Sequence, residues 1–99
     1  MKHQLIDENI LDDAIKAFGI EAQLEMVIEE CLELALAIQK LKRIRGGTKE
    51  EKRKAVIDEI ADVTIMVRQA TFIFGTDAVN DRIIFKMKRL EERIKEKII

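Results

Sequence analysis

Five glutamates lie between residues 20 and 38, and no lysine or arginine interrupts them. Their neighbours are mostly apolar, whereas a solvated helix surface usually alternates Glu with Lys. Glu25, Glu29 and Glu33 repeat every four residues, and stacked like charges at that spacing destabilise a helix by about a few tenths of a kcal/mol per pair. An uncompensated carboxylate cluster on an apolar helix therefore predicts a bound cation.

Two acidic pairs share one spacing, Glu30-x-x-Glu33 and Glu59-x-x-Asp62. At 100° per residue, each pair lies at the border of the apolar stripe of its helix, on the same side in both. Glu33 and Glu59 are both 13 residues from Gly46. Glu30 and Asp62 are both 16 residues from the same glycine. A short turn makes the helices antiparallel, so the four carboxylates are predicted to lie at one level.

Carboxylate oxygens are the ligands of hard divalent cations, and Mg²⁺ typically bridges a few of them to substrate phosphates. With no histidine nearby, Mg²⁺ or Mn²⁺ is favoured over zinc or copper. A di-iron bundle is disfavoured because it requires Glu-x-x-His motifs, and the single histidine is His3. The remaining alternative for the cluster is a surface acidic patch or a set of salt bridges between subunits.

Composition and length indicate a single all-α domain spanning residues 1–99. Pro, Trp and Tyr are absent, and the net charge of −1 argues against a general nucleic-acid binder. No apolar run approaches the length needed to cross a bilayer, which argues against a membrane protein. The single Cys31 is typical of a core thiol in a reducing compartment, so the cytoplasm is expected.

Capping residues divide the chain into four predicted helices. Thr48 and Glu51 have the spacing of a capping box. The first predicted helix begins after Asp7 or Asn9 and ends at Gly19. The second runs from about Ile20 to about Arg43, and the third runs from Thr48 to about Phe74. The fourth begins at a cap on Thr76 or Asp77.

The second helix carries apolar residues on more than one face, which is typical of a helix buried on several sides. Off its main stripe lie Met26, Leu32, Leu36 and Ala37. Four helices in so small a chain cannot provide that cover. We therefore expect a helical bundle completed by oligomerisation, as a homodimer or homotetramer.

These motifs resemble the all-α nucleoside triphosphate pyrophosphohydrolases, and most closely the MazG-like branch. The similar stretches are residues 14–19 leading into Gln23, residues 28–34, and residues 58–63, with a looser likeness over 85–90. Together they span most of the chain from about residue 13 to 74.

The resemblance implies a four-helix MazG-like fold and Mg²⁺-dependent hydrolysis of a (deoxy)nucleoside triphosphate to a monophosphate and pyrophosphate. Carried over by position, the metal ligands are Glu30, Glu33, Glu59 and Asp62. Glu29 precedes the first motif and is expected to orient a ligand or the attacking water.

Lysine and arginine are expected to share the charge of the leaving pyrophosphate. The candidates for substrate binding are Lys86 and Arg89 on the last helix. Many relatives carry Asn two positions before that lysine, where this chain has Ile84. A second set of candidates therefore lies in the loop between the second and third helices, namely Arg43, Arg45 and Lys49.

Two other functions remain open. Phosphoribosyl-ATP pyrophosphohydrolase uses a similar acidic pattern and differs in substrate. A non-enzymatic helical module that dimerises through its apolar surfaces would need no metal, and in such a module Glu30 or Glu59 could be replaced by Gln without loss.

Overall fold

The computed structural model describes residues 5–98, and within that range the chain is entirely helical apart from its turns. The helices are α1 (Glu8–Phe18), α2 (Ile20–Lys42), α3 (Lys49–Phe74) and α4 (Thr76–Ile98). No strand occurs in this part of the chain. The predicted all-α class with four helices is confirmed, while His3 lies outside the described residues.

Capping residues set the ends of α1. The Asp7 carboxylate accepts a hydrogen bond from the Asn9 N–H at 2.9 Å, which satisfies one of the free donors of the first turn. Gly19 ends the helix with φ of 89°, and its N–H donates to the Ile15 carbonyl at 2.8 Å. Because only glycine adopts such a φ without strain, α2 can start at the next residue.

Helix α3 begins with the predicted capping box. The Thr48 hydroxyl accepts from the Glu51 N–H at 3.1 Å, and the Glu51 carboxylate accepts from the Thr48 N–H at 3.3 Å.

The start of α4 differs from the prediction. Thr76 is already helical, and the Gly75 carbonyl accepts from the Val79 N–H at 3.1 Å. Gly75, with φ of 115°, therefore precedes the helix in the place predicted for Thr76 or Asp77.

The α2–α3 hairpin is the centre of the fold, and α1 is tied to it by a buried amide. Gln69 of α3 is only 2% exposed, and its Nε2 donates to the Leu11 carbonyl of α1 at 2.9 Å. Leu11 is itself buried. A buried amide of this kind specifies one arrangement, since any shift of α1 would leave a polar group without a partner.

The chain leaves far more surface exposed than a folded monomer of its size. Its accessible area is 8585 Å² for 11.5 kDa, whereas folded monomers of this mass expose about 5,800 Å². Its radius of gyration is 16.9 Å, against about 13 Å for a domain of this length. Among the described apolar residues, only Leu11 and Ala37 are buried.

Helix α4 contributes much of this exposure. It packs mainly against α3, and none of its described residues is buried. Its exposed large apolar residues are Ile83, Ile84, Phe85, Met87, Leu90, Ile94 and Ile98. No helix over residues 5–98 has both the length and the hydropathy needed to cross a membrane.

Candidate metal centre

Three of the four predicted ligands lie together where α2 and α3 face each other. Glu30 and Glu33 of α2 and Glu59 of α3 each have a carboxylate oxygen within 4.8 Å of the others. A second group shares one of these residues, because Glu59 also lies within 4.8 Å of Asp58 and Asp62. The five carboxylates thus form two overlapping groups that Glu59 joins.

Helix geometry and the hairpin explain the convergence. Residues three apart on a helix lie on adjacent turns of the same face, which places Glu30 beside Glu33 and Glu59 beside Asp62. The turn between Lys42 and Lys49 then reverses the chain and brings α3 back along α2.

Two oxygens in this cluster are orphaned. Oε2 of Glu30 and Oε2 of Glu59 are buried without any hydrogen-bond partner. Buried polar atoms in folded proteins are nearly always paired, and an unpaired carboxylate oxygen is among the most unfavourable exceptions. A proton or a metal ion at these oxygens would remove the penalty.

The cluster disfavours its own negative charge. Burial, followed by the negative charge of Glu33 and by Glu30, raises the pKa of Glu59 from 4.5 to about 7. Burial, followed by the charges of Asp62 and Glu33, also raises the pKa of Glu30. Near neutral pH, Glu59 therefore holds its proton more tightly than an ordinary glutamate does, because its ionisation would add a negative charge beside Glu33 and Glu30.

No lysine or arginine over residues 5–98 neutralises the four predicted ligands. The ion pairs within 4.0 Å in this range are Lys16–Asp12 and Lys95–Glu91, both on the surface of other helices. Salt bridges among residues 5–98 therefore do not explain the cluster. An all-oxygen donor set without His or Cys suits a hard cation such as Mg²⁺ or Mn²⁺.

A cleft of about 430 Å³ adjoins the carboxylates and extends toward the α2–α3 turn. That volume lies within the range of small-molecule sites, about 300–1,000 Å³. Its walls are partly apolar and carry both signs of charge. They are formed by Glu33, Leu36, Ala37, Lys40, Gly46, Glu51, Lys52, Ala55 and Glu59.

The other predicted site residues do not line this cleft. Glu29 is exposed and belongs to neither carboxylate group. Lys86 and Arg89 are exposed on α4, which contributes no residue to the cleft wall. Of the loop candidates, the Arg43 and Arg45 carbonyls are bonded to Lys52, and the loop residues themselves are exposed.

Three charged residues near the site have no predicted role in the sequence, namely Asp58, Lys52 and Lys40. Asp58 joins the second carboxylate group, and its position four residues before Asp62 is a signal that could have identified it. Lys52 is buried beside the cleft. It sits within a run of basic residues, so no local pattern distinguishes it from its exposed neighbours.

Comparisons of this chain with models of known protein families, with curated proteins and with solved structures found no match. The MazG-like resemblance is thus carried by the acidic motifs and the flanking stretches alone, and membership of that family stays a prediction.

Proposed function

We propose that this chain is a Mg²⁺-dependent nucleoside triphosphate pyrophosphohydrolase of the MazG-like type, with Mn²⁺ as a substitute metal. The observation that carries the proposal is the meeting of Glu30, Glu33 and Glu59, with two of their oxygens buried and unpaired. Asp62 completes the ligand set through its group with Glu59. The carboxylates repel one another because they concentrate negative charge in one place, and that same charge would attract a divalent cation.

The reaction forms a bond between a water oxygen and the α-phosphorus and breaks the bond from that phosphorus to the bridging oxygen. Pyrophosphate leaves with the bonding electron pair, and the proton from water passes to a carboxylate. When bound, Mg²⁺ neutralises phosphate charge and acidifies water. Asp58 is a candidate proton acceptor because it is exposed beside Glu59. Glu29 keeps its proposed role in orienting water.

The cleft is the proposed nucleotide site. Its negative end holds Glu33 and Glu59, where a metal ion would meet the phosphates. Its other end holds Lys40, an exposed lysine able to contact the triphosphate. Lys86 and Arg89 remain candidates for the same task if a second subunit brings its α4 to this cleft.

We further propose that the working form is a homodimer or homotetramer. The area exposed beyond that of a typical monomer is roughly 2,800 Å² per chain, or about 5,600 Å² for two chains together, which is comparable with the total area that large obligate interfaces bury. The off-stripe residues of α2, such as Leu32 and Leu36, are more than half exposed and would be covered by a partner. Cys31 is exposed and not the core thiol that the sequence predicted, and the reducing cytoplasm suits such a free thiol.

The test is a panel of ribo- and deoxyribonucleoside triphosphates, with released pyrophosphate measured in Mg²⁺ and in a chelator. We expect metal-dependent release of one pyrophosphate and one monophosphate per nucleotide. Activity confined to phosphoribosyl-ATP would identify that compound as the substrate in place of a nucleoside triphosphate. Release of single phosphates, or none with any nucleotide, would contradict the proposal.

The exposed apolar surface favours a second candidate, a helical interaction module without catalysis. That function predicts no stabilisation by Mg²⁺ and a neutral effect of replacing the acidic residues. Thermal unfolding with and without Mg²⁺ separates the two functions before any substrate is known.

A further inference from the structure

The turn that joins the two acidic helices has little backbone bonding of its own. Residues 44–47, all within the described range, make no backbone–backbone hydrogen bond. Gly46 and Gly47 follow one another with φ of 95° and 109°. Paired glycines allow many conformations, so the backbone alone does not hold α2 and α3 in one register.

A buried lysine supplies the missing restraint. Nζ of Lys52 donates to the Arg43 carbonyl at 2.6 Å and to the Arg45 carbonyl at 2.8 Å. Lys52 is only 7% exposed and makes no salt bridge within 4.0 Å to a described carboxylate. A buried ammonium is strongly unfavourable unless it is hydrogen-bonded. The carbonyls that follow α2 carry partial negative charge, which makes them suitable acceptors.

The same lysine stands on the wall of the candidate site. Lys52 precedes Glu59 by seven residues, or about two helical turns, so both lie on one face of α3. Both line the cleft together with Glu33 of α2. A slip of one residue between the helices would move each ligand by about 1.5 Å and turn it by about 100°. Metal–ligand distances tolerate only about 0.2 Å.

We propose that Lys52 is a positioning residue for the metal centre: by holding the Arg43 and Arg45 carbonyls, it sets the register at which the carboxylates of α2 meet Glu59. The inference rests on the proposed metal function. It assigns Lys52 no contact with metal or substrate.

The charge of Lys52 acts in the opposite direction to its position. A cation near the carboxylates repels Mg²⁺ or Mn²⁺, so charge alone predicts that removing Lys52 tightens metal binding. Loss of register predicts weaker binding. A direct contact with nucleotide phosphates predicts no change when metal is measured without nucleotide. The sign of the effect therefore identifies the role.

The experiment is a Mn²⁺ titration followed by electron paramagnetic resonance, without nucleotide, on wild type, Lys52→Met and Lys54→Met. The control removes the same charge from an exposed lysine of the same helix. We expect Lys52→Met to weaken Mn²⁺ binding about 10-fold, as loss of an orienting partner typically does. Lys54→Met should bind as tightly as wild type or slightly tighter. Lys52→Arg, which keeps donors for both carbonyls, should recover most of the affinity.

Unchanged or tighter binding by Lys52→Met would overturn the inference, and so would failure of Lys52→Arg to recover any affinity. Should Lys52→Met not fold by circular dichroism, Lys52→Gln compared with Lys54→Gln gives the same reading. A wild-type chain that binds no Mn²⁺ overturns the proposed function together with this inference. Tight wild-type binding that Lys52→Met leaves unchanged overturns the inference alone.

Discussion

The α2–α3 hairpin and helix α4 use the same charged residue types in opposite ways. In the hairpin, carboxylates of Glu30 and Glu59 are partly buried and unpaired. On α4, Glu91 lies 3.6 Å from Lys95, one turn away, and both are well exposed. The first arrangement is unfavourable without a bound proton or cation, whereas the second is an ordinary solvated surface. A glutamate is thus informative through what surrounds it.

The two regions also differ in how their apolar residues are covered. The hairpin has the largest internal contact of the chain, between α2 and α3. The α4 stripe, which includes Met87 and Leu90, faces no other part of the described chain closely enough to be buried. We therefore expect the hairpin to bind a metal ion and α4 to bind a second subunit. Each expectation can be tested separately.

The largest effect is expected from Glu59→Gln, which removes the residue that joins the two carboxylate groups. Pyrophosphate release should fall by about 100-fold or more, since even the loss of outer partners of a metal ligand costs 10–100-fold. Steady-state kinetics measures the change, and Glu50→Gln on the exposed first turn of α3 is the control. The variant should fold at least as well as the metal-free wild type, because a repelling charge is gone. Activity equal to wild type would remove Glu59 from the site.

On the α4 side, Leu90→Lys should break the oligomer. A buried leucine contributes about 1.5–3 kcal/mol, and a symmetric interface loses it twice, so the dissociation constant should rise about 100-fold or more. Sedimentation velocity measures the mass. Glu92→Gln adds the same charge on the opposite side of the helix and should leave the mass unchanged. A wild-type chain that sediments as a monomer would refute the expectation.

Added Mg²⁺ should stabilise the hairpin. At a concentration 100 times its dissociation constant, a ligand that binds only the folded chain adds about 2.7 kcal/mol to the free energy of unfolding. For a domain of this size, that raises the midpoint of thermal unfolding by about 10 °C or more. Scanning calorimetry with and without Mg²⁺ measures the shift. The double variant Glu30→Gln, Glu59→Gln should show none.

The pH dependence of both folding stability and metal affinity follows from the raised pKa of Glu59. Its pKa is about 7 in the folded chain and 4.5 ordinarily, so the folded state binds the proton more tightly than the unfolded state. This contribution to stability is complete below pH 4.5 and is lost as the pH rises through 7. Metal and proton compete for the same oxygens, so Mn²⁺ affinity should be about 10-fold weaker at pH 6 than at pH 8. An affinity independent of pH over this range would contradict the raised pKa.

The smallest effect is expected from Glu91→Gln, which breaks the exposed pair on α4. Pairs of this kind contribute about 0.3–0.5 kcal/mol, so the free energy of unfolding measured in urea should change by no more than that. Pyrophosphate release should be unchanged. A large loss of activity would mean that α4 takes part in the site, as the sequence predicts for Lys86 and Arg89.

Much of the fold could be predicted because helices and their ends obey local rules. Asp7, Gly19 and the Thr48–Glu51 capping box mark ends in the structure where the sequence predicted them. The start of α4 differs from the predicted cap at Thr76 or Asp77 because Gly75 serves both the end of α3 and the start of the next helix. At this boundary, residues that favour the N-cap position follow a glycine that can adopt a positive φ. The glycine became the residue that precedes α4 because of that freedom.

The level at which the carboxylates meet could also be predicted, since a helix has a constant rise and a hairpin reverses it. The position of Lys52 could not, because burial depends on where the turn folds back, and nothing local separates it from Lys54. For the same reason the sequence could not show that Lys40 and Lys52 border the cleft, and the phosphate contacts expected of Lys86 and Arg89 on α4 stay a prediction.

The sequence by itself determined the four helices, their caps and the matched spacing of the acidic pairs, because these follow from periodicity and from interactions over a few residues. Only the tertiary structure decided which oxygens are orphaned, which lysine is buried and which helix is left uncovered. Those properties depend on contacts between residues far apart in the chain, where small differences in turn geometry become large differences in burial.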